Sequence, residues 1–149
     1  MSCIKIKERS GNEIDFDIKD RLTFIGGNSG TGKTFVIDIV KDMKLNGYEV
    51  GDSNVDPSRF VIIDSSLNIA VLKEVKDGSI VFIDNYDSFP EDSKKKVIKA
   101  MFKYAAIWII CTRYPKFPYG TCYSKDSYKE LIAEKSDTGF IFKLENKSW

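Results

Sequence analysis

The chain has 149 residues, 42% apolar, 30% charged and 13% aromatic, which suffices for one compact core and is too little for two full-sized domains. Twenty-three Lys plus Arg against twenty-two Asp plus Glu leave a formal charge of +1, so no overall field draws the protein to nucleic acid. Histidine is absent, and Cys3, Cys111 and Cys122 lack metal-ligand spacing, which excludes imidazole-based triads and most zinc sites. In chain order, Ile4, Ile6 and then Ile14, Phe16 and Ile18 alternate with charged residues around Ser10-Gly11-Asn12, the pattern of a β-hairpin. Leu22 to Ile25 reads as a short strand running into a glycine cluster, and Val36, Ile37, Ile39, Val40 and Met43 recur at helical spacing up to Gly47. The stretch to Ser58 is rich in Asp, Ser, Asn and Gly and reads as loop. Phe60–Ile63 and Ile80–Ile83 are unbroken apolar runs closed by Asp64 and Asp84, as suits parallel strands buried on both faces. Leu67, Val71, Leu72 and Val75 predict a helix between them, and Val97, Ile98, Met101 and Phe102 another after Pro90. Ala105 to Cys111 predicts a fourth core strand, and Phe140, Phe142 and Leu144 a fifth. The alternation implies an α/β sheet with helices on both faces.

The most informative segment is Gly27-Asn28-Ser29-Gly30-Thr31-Gly32-Lys33-Thr34, which satisfies the Walker A pattern. Glycines admit backbone conformations closed to other residues and let amide N–H groups approach phosphate oxygens, while the following helix points its positive end at the same anion. In this pattern Lys33 reaches the β and γ phosphates and the Thr34 hydroxyl is a ligand of Mg²⁺. Ile80-Val81-Phe82-Ile83-Asp84 has the form of Walker B, with Asp84 holding the same Mg²⁺ near Thr34, although Phe60 to Asp64 imitates it. The cofactors implied are ATP and Mg²⁺. The absence of an Asn-Lys-x-Asp run speaks for adenine over guanine.

These motifs, and the order of elements around them, resemble P-loop NTPases of the branch that includes ABC, SMC and RecA-like ATPases, in which an additional strand separates the two Walker strands. The hairpin from Cys3 to Ile18 resembles the antiparallel extension of ABC and SMC-type heads. The resemblance implies a three-layer P-loop NTPase fold in one domain, residues 1–149, with an N-terminal hairpin (2–19) and a nucleotide-binding core (20–149). Its mostly parallel five-stranded sheet, with strands beginning near residues 22, 60, 80, 106 and 139, would run in the order five, one, four, three, two. Two departures stand out. Only about 45 residues separate Thr34 from Ile80, too few for the signature-bearing helical insert, and Asn85 occupies the position of the family's catalytic glutamate. An amide cannot accept a proton from attacking water, so hydrolysis by that route is slow unless another carboxylate substitutes. Asp87 is the nearest candidate; its alternative role is to cap a turn before Pro90.

At the end of the fourth core strand, Thr112 occupies the position where related ATPases sense the γ-phosphate, and Arg113 either contributes charge to a phosphate or is a solvated strand-end arginine. The segment 113–123, with two prolines and four aromatics, reads either as a contact loop for a protein partner or second copy, or as an apolar lid. Lys94, Lys95, Lys96, Lys99 and Lys103 surround the apolar face of one helix and read as solvated surface, which disfavours nucleic acid as a partner. No apolar stretch approaches the roughly 18 to 20 residues of a bilayer crossing, and Met1 to Lys5 opens without the progression of a secretory signal. The expectation is a cytoplasmic protein without membrane contact.

Three functions compete. The preferred one is an ATP-binding, Mg-dependent ATPase, slow alone and faster when a partner completes the site. The second is a nucleotide-gated interaction module that scarcely hydrolyses, for which Asn85 speaks. The third is a small-molecule kinase using 113–138 as lid and 47–59, with Arg59, as acceptor site; it ranks last because its lid would hold a single arginine, Arg113.

Overall fold

Alternation of apolar and charged side chains makes the first two strands. In β1 (Ser2–Glu8) and β2 (Glu13–Ile18), Ile4 pairs with Phe16 and Ile6 with Ile14 across an antiparallel ladder. All four are essentially excluded from solvent, while Lys5 and Asp17 face outward. The structure is a computed structural model that describes residues 2–26, 32–113 and 128–146. Gly11 turns the hairpin at φ 106, and a Cβ there would stand 1.9 Å from the Thr138 carbonyl oxygen. Only glycine admits both that dihedral and that approach.

The apolar runs form β3 (Leu22–Gly26), β5 (Phe60–Ile63), β6 (Ile80–Ile83) and β7 (Ile107–Cys111). They lie side by side as β3-β7-β6-β5, each neighbouring pair parallel. Their side chains alternate between two cores. Ile25, Phe60, Phe82 and Ile109 face the cluster that holds Val36, Ile37, Val40 and Met43 of helix α1 (Lys33–Asn46). Phe24, Val61, Val81 and Trp108 face the other, with Tyr86, Phe89 and Val97, the last from helix α2 (Glu91–Lys103). Burial on both faces is why these strands read as unbroken apolar runs.

The five-stranded, mostly parallel, three-layer P-loop NTPase architecture expected from the sequence is not the one observed. A single mixed sheet of nine strands curls into a half-barrel, in the order β4-β1-β2-β9-β8-β3-β7-β6-β5. Strand β8 (Tyr128–Lys135) stands between β3 and β9 (Phe140–Asn146), where the order five, one, four, three, two would place the last strand directly beside the first. Its buried residues Tyr128 and Leu131 are three apart, so it carries no alternating signature. The hairpin is no separate extension, because β2 continues the sheet by pairing in parallel with β9. Strand β4 (Gly51–Ser53), from the stretch read as loop, pairs with β1 at the far edge. Ile4, Ile6, Ile14, Phe16 and Phe142 share one cluster with α1, so the antiparallel half curls around that helix. The stretch predicted as a helix around Leu67 to Val75 is a 3-10 segment, Ser66–Glu74, kinked at Asn68. Among the described residues no helix is long and apolar enough to cross a membrane.

Candidate functional site

The carboxyl ends of β3, β6 and β7 and the first turn of α1 meet at one edge of the sheet, the place where crevices form in parallel α/β sheets. A cleft of about 300 Å³ opens there, and its lining includes Lys33, Thr34, Phe35, Asp84, Thr112 and Arg113. Gly32 begins the helix at φ 99, and a Cβ on it would come within 3.1 Å of the Phe142 ring, so β9 supports the turn from below. Lys33 and Thr34 follow as the first two residues of α1. Gly27, Asn28, Ser29, Gly30 and Thr31, which complete the glycine-rich motif, lie outside the described residues, as does the segment 114–123.

Thr34 and Asp84 are brought together across fifty positions of sequence. The Thr34 hydroxyl donates to Asp84 Oδ2 at 3.2 Å, while the Asn85 backbone N–H donates to Asp84 Oδ1 at 2.9 Å. Asp84 as a residue is 4% exposed. Burial pushes the Asp84 carboxyl above the usual carboxylate range, against the opposing pull of the Asn85 N–H, the Thr34 hydroxyl and Lys33, with Asp38 on the next turn of α1 adding to the rise. Burial likewise pulls the Lys33 ammonium below its ordinary value, with Arg113 adding to the fall and the Asp84 and Asp87 carboxylates opposing it. Cys111, on the cleft floor, is held as a neutral thiol by burial.

The second carboxylate, Asp87, is a brace. Its Oδ1 accepts from the Thr112 hydroxyl and its Oδ2 from the Arg113 backbone N–H at 2.7 Å, which ties the turn after β6 to the end of β7. Asn85 makes that turn possible with a left-handed backbone, φ 54 and ψ 37, which asparagine tolerates better than most residues. Both bonds run to the end of β7, at the cleft that Asp87 lines. Arg113 lines the cleft with an exposed side chain.

Arg59, expected at an acceptor site, is not part of the cleft. It precedes β5 at the opposite end of the strand, where its Nε donates to the Gly78 carbonyl at 2.8 Å. At the carboxyl end of β5 stands Asp64, held by Lys41 at 2.8 Å and by Asn68, and those two bonds hold its carboxyl below the usual range. The lining residue that sequence reasoning passed over is Phe35. It is 44% exposed and tilted against Phe142 with ring centroids 5.5 Å apart. Its signal was present: a large apolar side chain off the buried stripe of Val36, Ile37, Val40 and Met43.

Among the described residues no group of three or more Cys, Asp or Glu side chains is placed to hold a metal ion alone. No family model matches the chain, and no curated protein matches it significantly.

Proposed function

We propose that the cleft binds ATP with Mg²⁺ through the polyphosphate, and that the chain is a Mg-dependent ATPase, slow by itself and accelerated by a partner. The observation that carries this reading is the 3.2 Å contact between the Thr34 hydroxyl and the Asp84 carboxylate, with Lys33 beside them. A hydroxyl and one carboxylate are hard oxygen donors, the set expected for a Mg²⁺ ion that completes its octahedron with water and phosphate oxygens. That donor set fits without a third acidic ligand. When bound, the ion would neutralise charge that develops between the β and γ phosphates. Lys33 binds phosphate as a point charge at the positive end of α1, and Phe35 offers an aromatic face at the cleft mouth to the nucleobase.

Two features favour slow hydrolysis. Asn85 has no proton-accepting group to activate water, and both oxygens of Asp87 are already engaged. The same features support the second reading, a nucleotide-gated module. The reading rests on the local geometry of the cleft, since the nine-stranded sheet departs from the architecture of the ATPases that the motifs resemble.

Titration calorimetry with ATP and Mg²⁺, paired with phosphate release, tests both readings. The expected result is saturable binding by the wild-type protein, slow phosphate release, and loss of both in Lys33→Ala. Binding without release would favour the gated module. No binding at millimolar nucleotide would end both readings.

A further inference from the structure

Away from the cleft, on the face of the sheet that carries α2, a groove of about 460 Å³ runs between the 3-10 segment Ser66–Glu74 and the exposed side of α2. Its floor is apolar and half-buried: Ile69 and Leu72 from one wall, Ala100 and the Tyr104 ring from the other. Its rim is cationic. Lys96, Lys99 and Lys103 follow one stripe of α2 at i, i+3 and i+7, and Lys73 faces them from the 3-10 segment. All four lysines are exposed, and none forms an ion pair among the described residues.

Of the carboxylates nearest in sequence, Asp92 lies one turn before Lys96 on α2 and forms no ion pair with it among the described residues, and three others are engaged elsewhere. Glu74 lies 3.7 Å from the Lys44 ammonium, Asp77 accepts the Ala105 N–H at 2.8 Å, and Glu91 stands by Lys94 at the opposite end of α2. Four like charges around an apolar trough repel one another, and a ligand that carries carboxylates on both flanks of an apolar stripe relieves that repulsion while covering the trough. A bare anion would satisfy the lysines and leave the floor wet. A nucleic acid would need flat rings to stack on, whereas the floor is mainly aliphatic and the Tyr104 ring lies 5.3 Å from the Lys103 ammonium.

We propose that this groove docks an acidic amphipathic segment of a partner protein, with its apolar side chains on Ile69, Leu72 and Ala100 and its carboxylates paired to Lys73, Lys96, Lys99 and Lys103. The segment is bound in the helix-in-groove manner, with anchors at i, i+3, i+4 and i+7. The proposal is independent of the nucleotide reading, because among the described residues none that lines the groove also lines the cleft.

The test uses the full-length protein and a synthetic, fluorescently labelled peptide about four helical turns long, with leucines on one stripe and glutamates on both flanks. Fluorescence anisotropy is expected to show saturable binding that weakens as salt is raised. Lys99→Glu with Lys103→Glu, two exposed positions that leave the fold intact by circular dichroism, is expected to weaken binding by about tenfold or more. A scrambled peptide of the same composition should bind at least about tenfold less tightly, because its leucines no longer share a face. Equal binding of the scrambled peptide, unchanged affinity in the double variant, or displacement of the peptide by a single-stranded oligonucleotide at lower concentration would each overturn the proposal.

Discussion

The two halves of the sheet bury their strands differently, and the difference explains where chemistry is possible. Strands β3, β7, β6 and β5 are parallel and covered on both faces, so apart from the outer edge of β5 what they leave accessible is their ends. Carboxyl ends gathered at one edge expose backbone groups and the next side chains together, which is how Asp84 and Thr112 come to stand near the start of α1. In the other half, β1, β2, β8 and β9 meet through antiparallel ladders and one parallel join, and the apolar residues of β1 and β2 face one cluster around α1. That half supports the cleft from the side, through Phe142 beneath Gly32, and among the described residues it contributes no polar group to it.

Substitutions in each half should separate stability from binding. The largest effect is expected from Phe82→Ala in β6, a fully buried ring whose loss leaves a cavity two residues before Asp84. It should cost about 3–5 kcal/mol by urea denaturation and, on the proposed nucleotide reading, abolish nucleotide binding with it. In the antiparallel half, Gly11→Ala forces a Cβ into the Thr138 carbonyl at a positive φ and should cost about 2–3 kcal/mol. The folded molecules that remain should bind nucleotide as before. If binding falls in proportion to stability in both variants, the division between frame and support is wrong.

A smaller effect, of opposite sign, is expected at Asp84. Folding raises its carboxyl above the ordinary aspartate value, so its contribution to stability is full below that value and is lost as pH rises through the raised one. Asp84→Asn removes the buried charge and should raise the melting temperature at neutral pH by about 2–4 °C for each 1 kcal/mol relieved. The gain should vanish toward pH 3, where the wild-type carboxyl is protonated too. A variant less stable than wild type at pH 7 would show that the bonds from Thr34 and Asn85 outweigh desolvation. On the nucleotide reading, the same variant loses Mg-dependent binding.

The smallest effect concerns Phe35. If its ring meets a nucleobase, Phe35→Ala should weaken ATP by roughly fivefold, about 1 kcal/mol of aromatic contact. Inorganic tripolyphosphate with Mg²⁺, which has no base, should bind the variant and the wild type alike. Equal weakening of both ligands would place the role of Phe35 in holding α1 against Phe142.

Much of the local structure was legible. Alternation at Ile4, Ile6, Ile14, Phe16 and Ile18 marks side chains that are all buried, and the apolar runs at 60–63 and 80–83 are buried strands. Strand β8 was not legible, because its burial pattern has no period of two. Strand β4 is three polar or small residues held by ladder bonds to β1, and backbone pairing leaves no trace in side-chain type. Those two strands, with the β2–β9 join, turn the expected five-stranded layer into a nine-stranded half-barrel. At the site, residue types named the candidates Lys33, Thr34, Asp84, Asp87, Thr112 and Arg113. Which oxygen of Asp87 meets which donor depends on where two strand ends fall, and spacing along the chain carries no such information.

By itself the amino-acid order marked the segments of regular period that bury apolar surface, because alternation and helical spacing depend on side-chain type and local period. Tertiary structure alone decided the neighbours that no motif names: β8 beside β3, Asp87 against Thr112, and Lys73 across from Lys96, Lys99 and Lys103. Contacts between residues distant in sequence are set by the joint packing of all elements in one sheet. No single segment contains that balance.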